Sequence, residues 1–268
     1  MGTLLLLGVT GEPVPSVESL LYAAAAGGVG VAGLAFFYYA LGRGTMGVIA
    51  PLAALIGAGV PVLLAIYNGE QVSPIRLAGI GLALLAVVLI SLPGGEASSG
   101  ERRQVRLDLR DLPLVVLSGL GFAGFFIFID RASAGGALWW PLTVVRIVGI
   151  ALVVLGLGYA VLRARPASLR GRVADLLGVA RLRTWPFGRV ALVATFVVAG
   201  VGDLGGNAFF VLARHADDAL LSVSVVLSSL YPVITTVLAA LLLHERLRAL
   251  QIVGVILATV SVALLSSP

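Results

Sequence analysis

"ALLSVSVVLSSLYPVITTVLAALLL", residues 219–243, runs for 25 positions without a charge. About 20 apolar residues in helical form suffice to cross the hydrocarbon core of a bilayer, so this stretch is long enough to span one. Pro232 sits inside it, and a proline within a helix frees a backbone carbonyl, which a membrane helix tolerates best beside a cavity or a neighbouring helix. A compact charged corner follows, His244, Glu245, Arg246 and Arg248, and the chain then stays apolar to residue 268.

The same alternation repeats along the chain. Of 268 residues, 59% are apolar and 12% charged, with a mean hydropathy of +1.09. A soluble domain of this length needs a far more polar surface. Apolar stretches at 17–41, 46–67, 75–93, 113–133, 140–162, 190–213, 219–242 and 249–267 read as eight spans, preceded by a short apolar scrap, Leu4–Val9. The expected fold is an all-α, polytopic transmembrane helical bundle. Cysteine is absent, which removes disulfides and thiolate chemistry. Two histidines, His215 and His244, are too few for a His-based metal site. No cofactor or metal is expected. MGTLLLLGVTGEP, at the start, lacks the basic flank and apolar length of a signal peptide.

All 18 basic residues are arginine. The loops at 42–45, 94–112, 163–189 and 243–248 hold 14 of them; the alternate loops hold Arg76, Arg131 and Arg214, and Arg146 lies inside a span. Arginines so placed face anionic headgroups and set topology, so the basic pI implies the lipid bilayer as partner, and no nucleic acid. The positive-inside rule puts loops 94–112 and 163–189 in the cytoplasm and the C-terminus outside, in a plasma (inner) membrane. Within 163–189, Val173–Leu182 reads as an amphipathic stretch lying on that surface.

The charged corner at 243–248 also exposes a repeat. Shifted by 175, "NGEQVSPIRLAGIGLALLAVVLISLP" (68–93) lies on "LHERLRALQIVGVILATVSVALLSSP" (243–268), pairing Glu70 with Glu245, Gly79 with Gly254 and Pro93 with Pro268. Shifted by 173, "LAFF" (34–37) lies beside "NAFF" (207–210). The second copy has five spans, and an odd number forces two copies into opposite orientations, the inverted-repeat design of many secondary transporters.

"GLGFAGFFIFIDRASAGGALWWPLTVVRIVGIAL" (119–152) and "SSLYPVITTVLAALLLHERL" (228–247) carry a resemblance to the EamA family of the drug/metabolite transporter superfamily. The resemblance covers essentially the whole chain through the order and spacing of its parts rather than any one signature. It implies two inverted five-span repeats that move small metabolites, often outward. On that pattern residues 1–93 are an incomplete first repeat, 94–112 a cytoplasmic linker and 113–268 a complete second repeat. Between Pro113 and Gly200 lie 87 residues, whereas only 27 precede Gly28. The expectation is that the first span and most of the second are missing, with Leu4–Val9 the end of the latter, in a fragment or a chain with a misplaced start, the alternative being a genuinely shortened protein.

The GxGxxG pattern occurs three times, at Gly28-Gly30-Gly33, Gly119-Gly121-Gly124 and Gly200-Gly202-Gly205. Nucleotide binding would need a strand–turn–helix setting, and each of these lies inside a span, where small residues let helices approach. Charges inside spans are costly unless paired or wet. Asp203 and Arg146 are therefore the leading substrate- or proton-binding candidates, with Asp130, Asn207 and Tyr231 beside them. Arg146 is expected to pair with Asp203 or Asp130, either as a structural lock or as a substrate or proton site. Glu70, Glu245, Pro61 and Pro232 are structural or gating candidates. Trp139 and Trp140 read as an interfacial belt, Asp217 and Asp218 as a helix cap, and Phe122, Phe125, Phe126 and Phe128 as candidate cavity lining.

The function these features point to is a secondary transporter that exports a small metabolite, amino acid or drug-like solute by alternating access. No Walker motif occurs, so coupling would be to protons, another ion or the solute's own gradient. The alternative is a non-transporting membrane assembly component or a truncated fragment. A membrane-embedded enzyme would need clustered nucleophiles, metal ligands or carboxylates at one interface, and the sequence holds no such set; no enzymatic activity is expected. Homo-oligomerisation is left open.

Overall fold

In hydrocarbon, a helix satisfies every backbone hydrogen bond within its own segment, and the long apolar runs fold accordingly. The computed structural model describes residues 2–43, 46–91, 111–163, 188–216, 220–242 and 248–267. They form α1 (Gly2–Thr10), α2 (Val17–Arg43), α3 (Met46–Tyr67), α4 (Pro74–Ser91), α5 (Leu112–Ser133), α6 (Trp139–Arg163), α7 (Gly188–Arg214), α8 (Leu221–Ser228), α9 (Tyr231–Leu242) and α10 (Ala249–Leu265). No strand occurs among the described residues.

Seven stretches are long and apolar enough to cross a membrane, as in a multi-pass membrane protein: six lie in α2 to α7, and the seventh, Leu221–Leu238, runs across α8 and α9. The eighth expected span is shorter. Helix α10 has 17 residues, roughly 25 Å at about 1.5 Å per residue, somewhat less than the roughly 30 Å of a hydrocarbon core.

The stretch at 219–242 is not one helix but two. The ring of Pro232 crowds the carbonyl four residues back, that of Ser228, where α8 ends. Serines line the break. The Ser229 N–H reaches the Val225 carbonyl at 3.0 Å, and the hydroxyls of Ser224, Ser228 and Ser229 donate to the carbonyls of Leu220, Ser224 and Val226. Helix α3 stays continuous through Pro51 and Pro61. Each of those prolines has a glycine four residues back, Gly47 and Gly57, where the backbone adjusts more readily.

Helix α2 packs closely against α5, and glycine makes the approach possible. A methyl group on Gly33 would lie 2.9 Å from the Gly121 Cα, and one on Gly27 would lie 2.8 Å from the Val145 carbonyl of α6. Gly119 meets Ile56 of α3, while Gly30 and Gly124 meet Phe125 and Val29. The first two glycine patterns are therefore contact surfaces, apart from Gly28. The third differs from expectation: a methyl group on Gly200, Gly202 or Gly205 would have nothing within 4 Å. Helix α7 is exposed on every residue from 194 to 203, so none of the described residues packs closely on Gly200 or Gly202.

Helices α4 and α10 pack reciprocally. Gly79 faces Leu265, and Gly254 faces Ile90; the 175-residue shift turns the first contact into the second.

One end of the bundle carries the links at 11–16, 68–73 and 134–138 and the end of α7. At this Trp139 end, Glu12 accepts the N–H groups of Leu138 (3.0 Å) and Trp139 (2.8 Å), while the Trp140 indole donates to the Glu12 carbonyl. Glu70 accepts those of Leu221 (2.7 Å) and Ser222 (3.1 Å), together with the Ser222 hydroxyl. Each carboxylate thus satisfies unpaired amides at the positive end of a helix far from it in sequence. Asp217 and Asp218, expected as the cap for this span, lie outside the described residues, and the observed cap is Glu70. At the opposite, Arg43 end, Arg43 approaches Asp111 at 3.4 Å.

Candidate functional site

Arg146 projects from the second turn of α6, and Asp203 from the middle of α7. The apolar character of both helices leaves the two charges little else to bind. Arg146 Nη1 meets Asp203 Oδ2 at 2.5 Å. Asn207, one turn along α7, donates to the Asp203 carbonyl (2.9 Å) and to Oδ1 (3.3 Å). The pair is not sealed: the Asp203 side chain is 57% exposed and that of Arg146 33%. Yet Nη2 of Arg146 is buried without a hydrogen-bond partner. Such a donor is costly, and a small shift of the guanidinium would let a further acceptor take it up.

The pair borders a cavity of about 470 Å³ among α2, α5, α6 and α7. Its polar side chains are Arg146, Asp203 and Asn207; Leu34, Phe122, Phe125, Ile150, Val153, Val154 and smaller residues make up the rest. All three polar groups sit toward one end, and from Arg146 to Val154 the α6 wall is apolar. A concave, mainly apolar site with few convergent polar groups is the usual form of a small-molecule site.

Asp130 takes no part in this pair. It accepts from Arg214 Nε at 2.5 Å, with both side chains largely buried at 16% and 17% exposure. The Arg146–Asp130 pairing weighed from the sequence does not form, because Asp130 lies beside the end of α7 and Arg214 reaches it first. Next to this pair, His215 Nε2 lies 2.8 Å from the Ser133 carbonyl. Tyr231 opens α9, is 54% exposed, and does not line the cavity. Phe122 and Phe125 do line it, whereas Phe126 packs on Phe210 and Phe128 on Tyr22, with ring centroids 5.1 and 6.2 Å apart. Pro61 is buried in α3 and Pro232 lies just beyond the α8 break; Glu245 lies outside the described residues.

Glu12 was not singled out from the sequence. The available signal was a lone carboxylate before Pro13 in a short link between apolar stretches. Its bond partners are 126 to 128 residues away, and nothing local points to them.

No protein-family model matches the chain, and no curated protein sequence matches it. In fold it is similar to a solved structure described only as "Crystal structure of protein". That likeness has 19% identity and a TM-score of 0.59 and covers 98% of this chain and 91% of that one. At this identity it shows the fold alone.

Proposed function

We propose that this chain is a secondary transporter resembling the EamA exporters, moving a small solute across the plasma membrane by alternating access between two inverted repeats. The observation that carries the reading is the Arg146–Asp203 pair, exposed to a cavity at membrane depth. Charges kept open to a cavity within a membrane are the usual mark of a substrate or ion pathway. The cavity wall draws α2 from the first repeat and α5, α6 and α7 from the second. The reciprocal Gly79–Leu265 and Gly254–Ile90 contacts support the inverted relation, since a two-fold operation exchanges them. In this reading the arginine-rich loops 94–112 and 163–189 face the cytoplasm, and Asp203 is the titrating or substrate-binding group.

The test is solute flux in sealed proteoliposomes containing the full chain or its Asp203→Asn variant. Flux should fall about tenfold or more in the variant, the scale expected for losing a charged contact, with the helical content unchanged. Unchanged affinity and coupling in a folded Asp203→Asn protein would overturn the assignment.

A further inference from the structure

We infer that the ligand of this cavity is a net-neutral amphiphile: a zwitterionic head bound at Arg146 and Asp203, with an apolar tail lying along α6. The inference rests on the transport reading for what the cavity does, and on the shape of the cavity for what it takes.

Charge balance selects the head. Arg146 and Asp203 are already neutral as a pair. A ligand with a net charge would leave that charge uncompensated at membrane depth, a cost that falls on affinity. A zwitterion adds one charge of each sign. Its cationic group meets the exposed Asp203 carboxylate, and its anionic group draws out Nη2 of Arg146, the donor now buried without a partner.

Geometry selects the tail. Beyond the pair, the cavity continues past Ile150, Val153 and Val154 on α6 and Leu34 on α2. At about 1.5 Å per residue, this wall extends roughly 12 Å past Arg146. A small polar solute would leave most of it wet or empty. The wall is also open to the side. Val153 and Val154 are 58% and 61% exposed although they border the cavity. A methyl group added at Gly156 or Gly158 on α6, or at Gly200 or Gly202 on α7, would have nothing within 4 Å. A tail can therefore enter between α6 and α7 from the surrounding acyl chains, with no need to cross water.

The experiment measures equilibrium binding of N-alkyl-N,N-dimethylglycine betaines, butyl to decyl, to the full chain in nanodiscs, with empty nanodiscs subtracted. Affinity should rise about threefold to fourfold per methylene, the effect of burying each in an apolar site. Decyltrimethylammonium and decyl sulfate should bind about tenfold more weakly than the decyl betaine. Val153→Trp, a change at an exposed position, should flatten the chain-length dependence while the butyl betaine still binds.

Equal affinity across the series, equal affinity of the three head groups, or an unaltered slope in Val153→Trp overturns the inference. The chain has no cysteine, so Val153→Cys provides a unique reporter. Protection of that thiol by decyl betaine supports the inference, and a disulfide-linked dimer through it would assign the opening to a second copy instead. Chain-length-dependent binding without any flux would remove the transport reading and leave the ligand class standing. Saturable flux of a small polar solute that decyl betaine does not compete with would do the reverse.

Discussion

Helices α5 and α7 carry the same GxGxxG spacing in the middle of an apolar span, and they are held in different ways. In α5, Gly119, Gly121 and Gly124 press against Ile56, Gly33 and Val29. In α7, a methyl group on Gly200, Gly202 or Gly205 would have nothing within 4 Å, and the helix is held by charge, Asp203 to Arg146 and Arg214 to Asp130, and by the buried side chains of Phe210 and Val211 near its end. The middle of one helix is located by shape and the middle of the other by an ionic contact. Shape is stable but unforgiving, because a packed interior has little room to deform. An ionic contact leaves the middle of a helix freer to shift than close packing does.

Three substitutions press on this contrast, in falling order of effect, the first two each with a matched control. Gly121→Leu should abolish folding or cost about 4 kcal/mol or more, since the side chain would meet the α2 backbone; recovery after size-exclusion chromatography in detergent reports it. Gly202→Leu, the matched change in α7, should leave recovery near the wild-type value. A collapse there would show that α7 is packed like α5.

Asp130→Asn should destabilise by about 3 kcal/mol, because it removes one charge from a largely buried ion pair. Thermal unfolding reads this, with Asp203→Asn as the control. The latter should shift the midpoint far less, since its pair is the more exposed of the two. If the two midpoints fall together, the pairs are equivalent and the contrast fails. Glu70→Gln should have the smallest effect of the three, about 1 kcal/mol, the usual worth of a helix cap, since the amide oxygen still accepts one of the Leu221 and Ser222 bonds.

The apolar runs made the span positions legible, because hydrophobic length is the one property a bilayer demands of each helix. Arg146 and Asp203 were legible as candidates for the related reason that an ion inside a span needs a partner. Choosing between Asp203 and Asp130 was beyond a linear reading. It depends on Arg214 lying at the end of α7, level with Asp130 and away from Arg146. The break before Pro232 was half legible: the proline announces it, but separating Pro232 from Pro61 depends on Ser228 and Gly57 four residues earlier. The third glycine pattern misled, since small residues permit a close approach without supplying the neighbour.

Glu12 has a consequence for how the chain is made. The amides of Leu138 and Trp139 that it caps are 126 and 127 residues further along. At roughly 5–20 residues per second of synthesis, Glu12 waits about 6 to 25 s at the membrane surface before α6 exists to receive it. Until then the Glu12 carboxylate has only water or headgroups for company. The contact between the two ends of this long interval is a late seal, and the order in which the ribosome releases the helices decides when the Trp139 end of the protein can close.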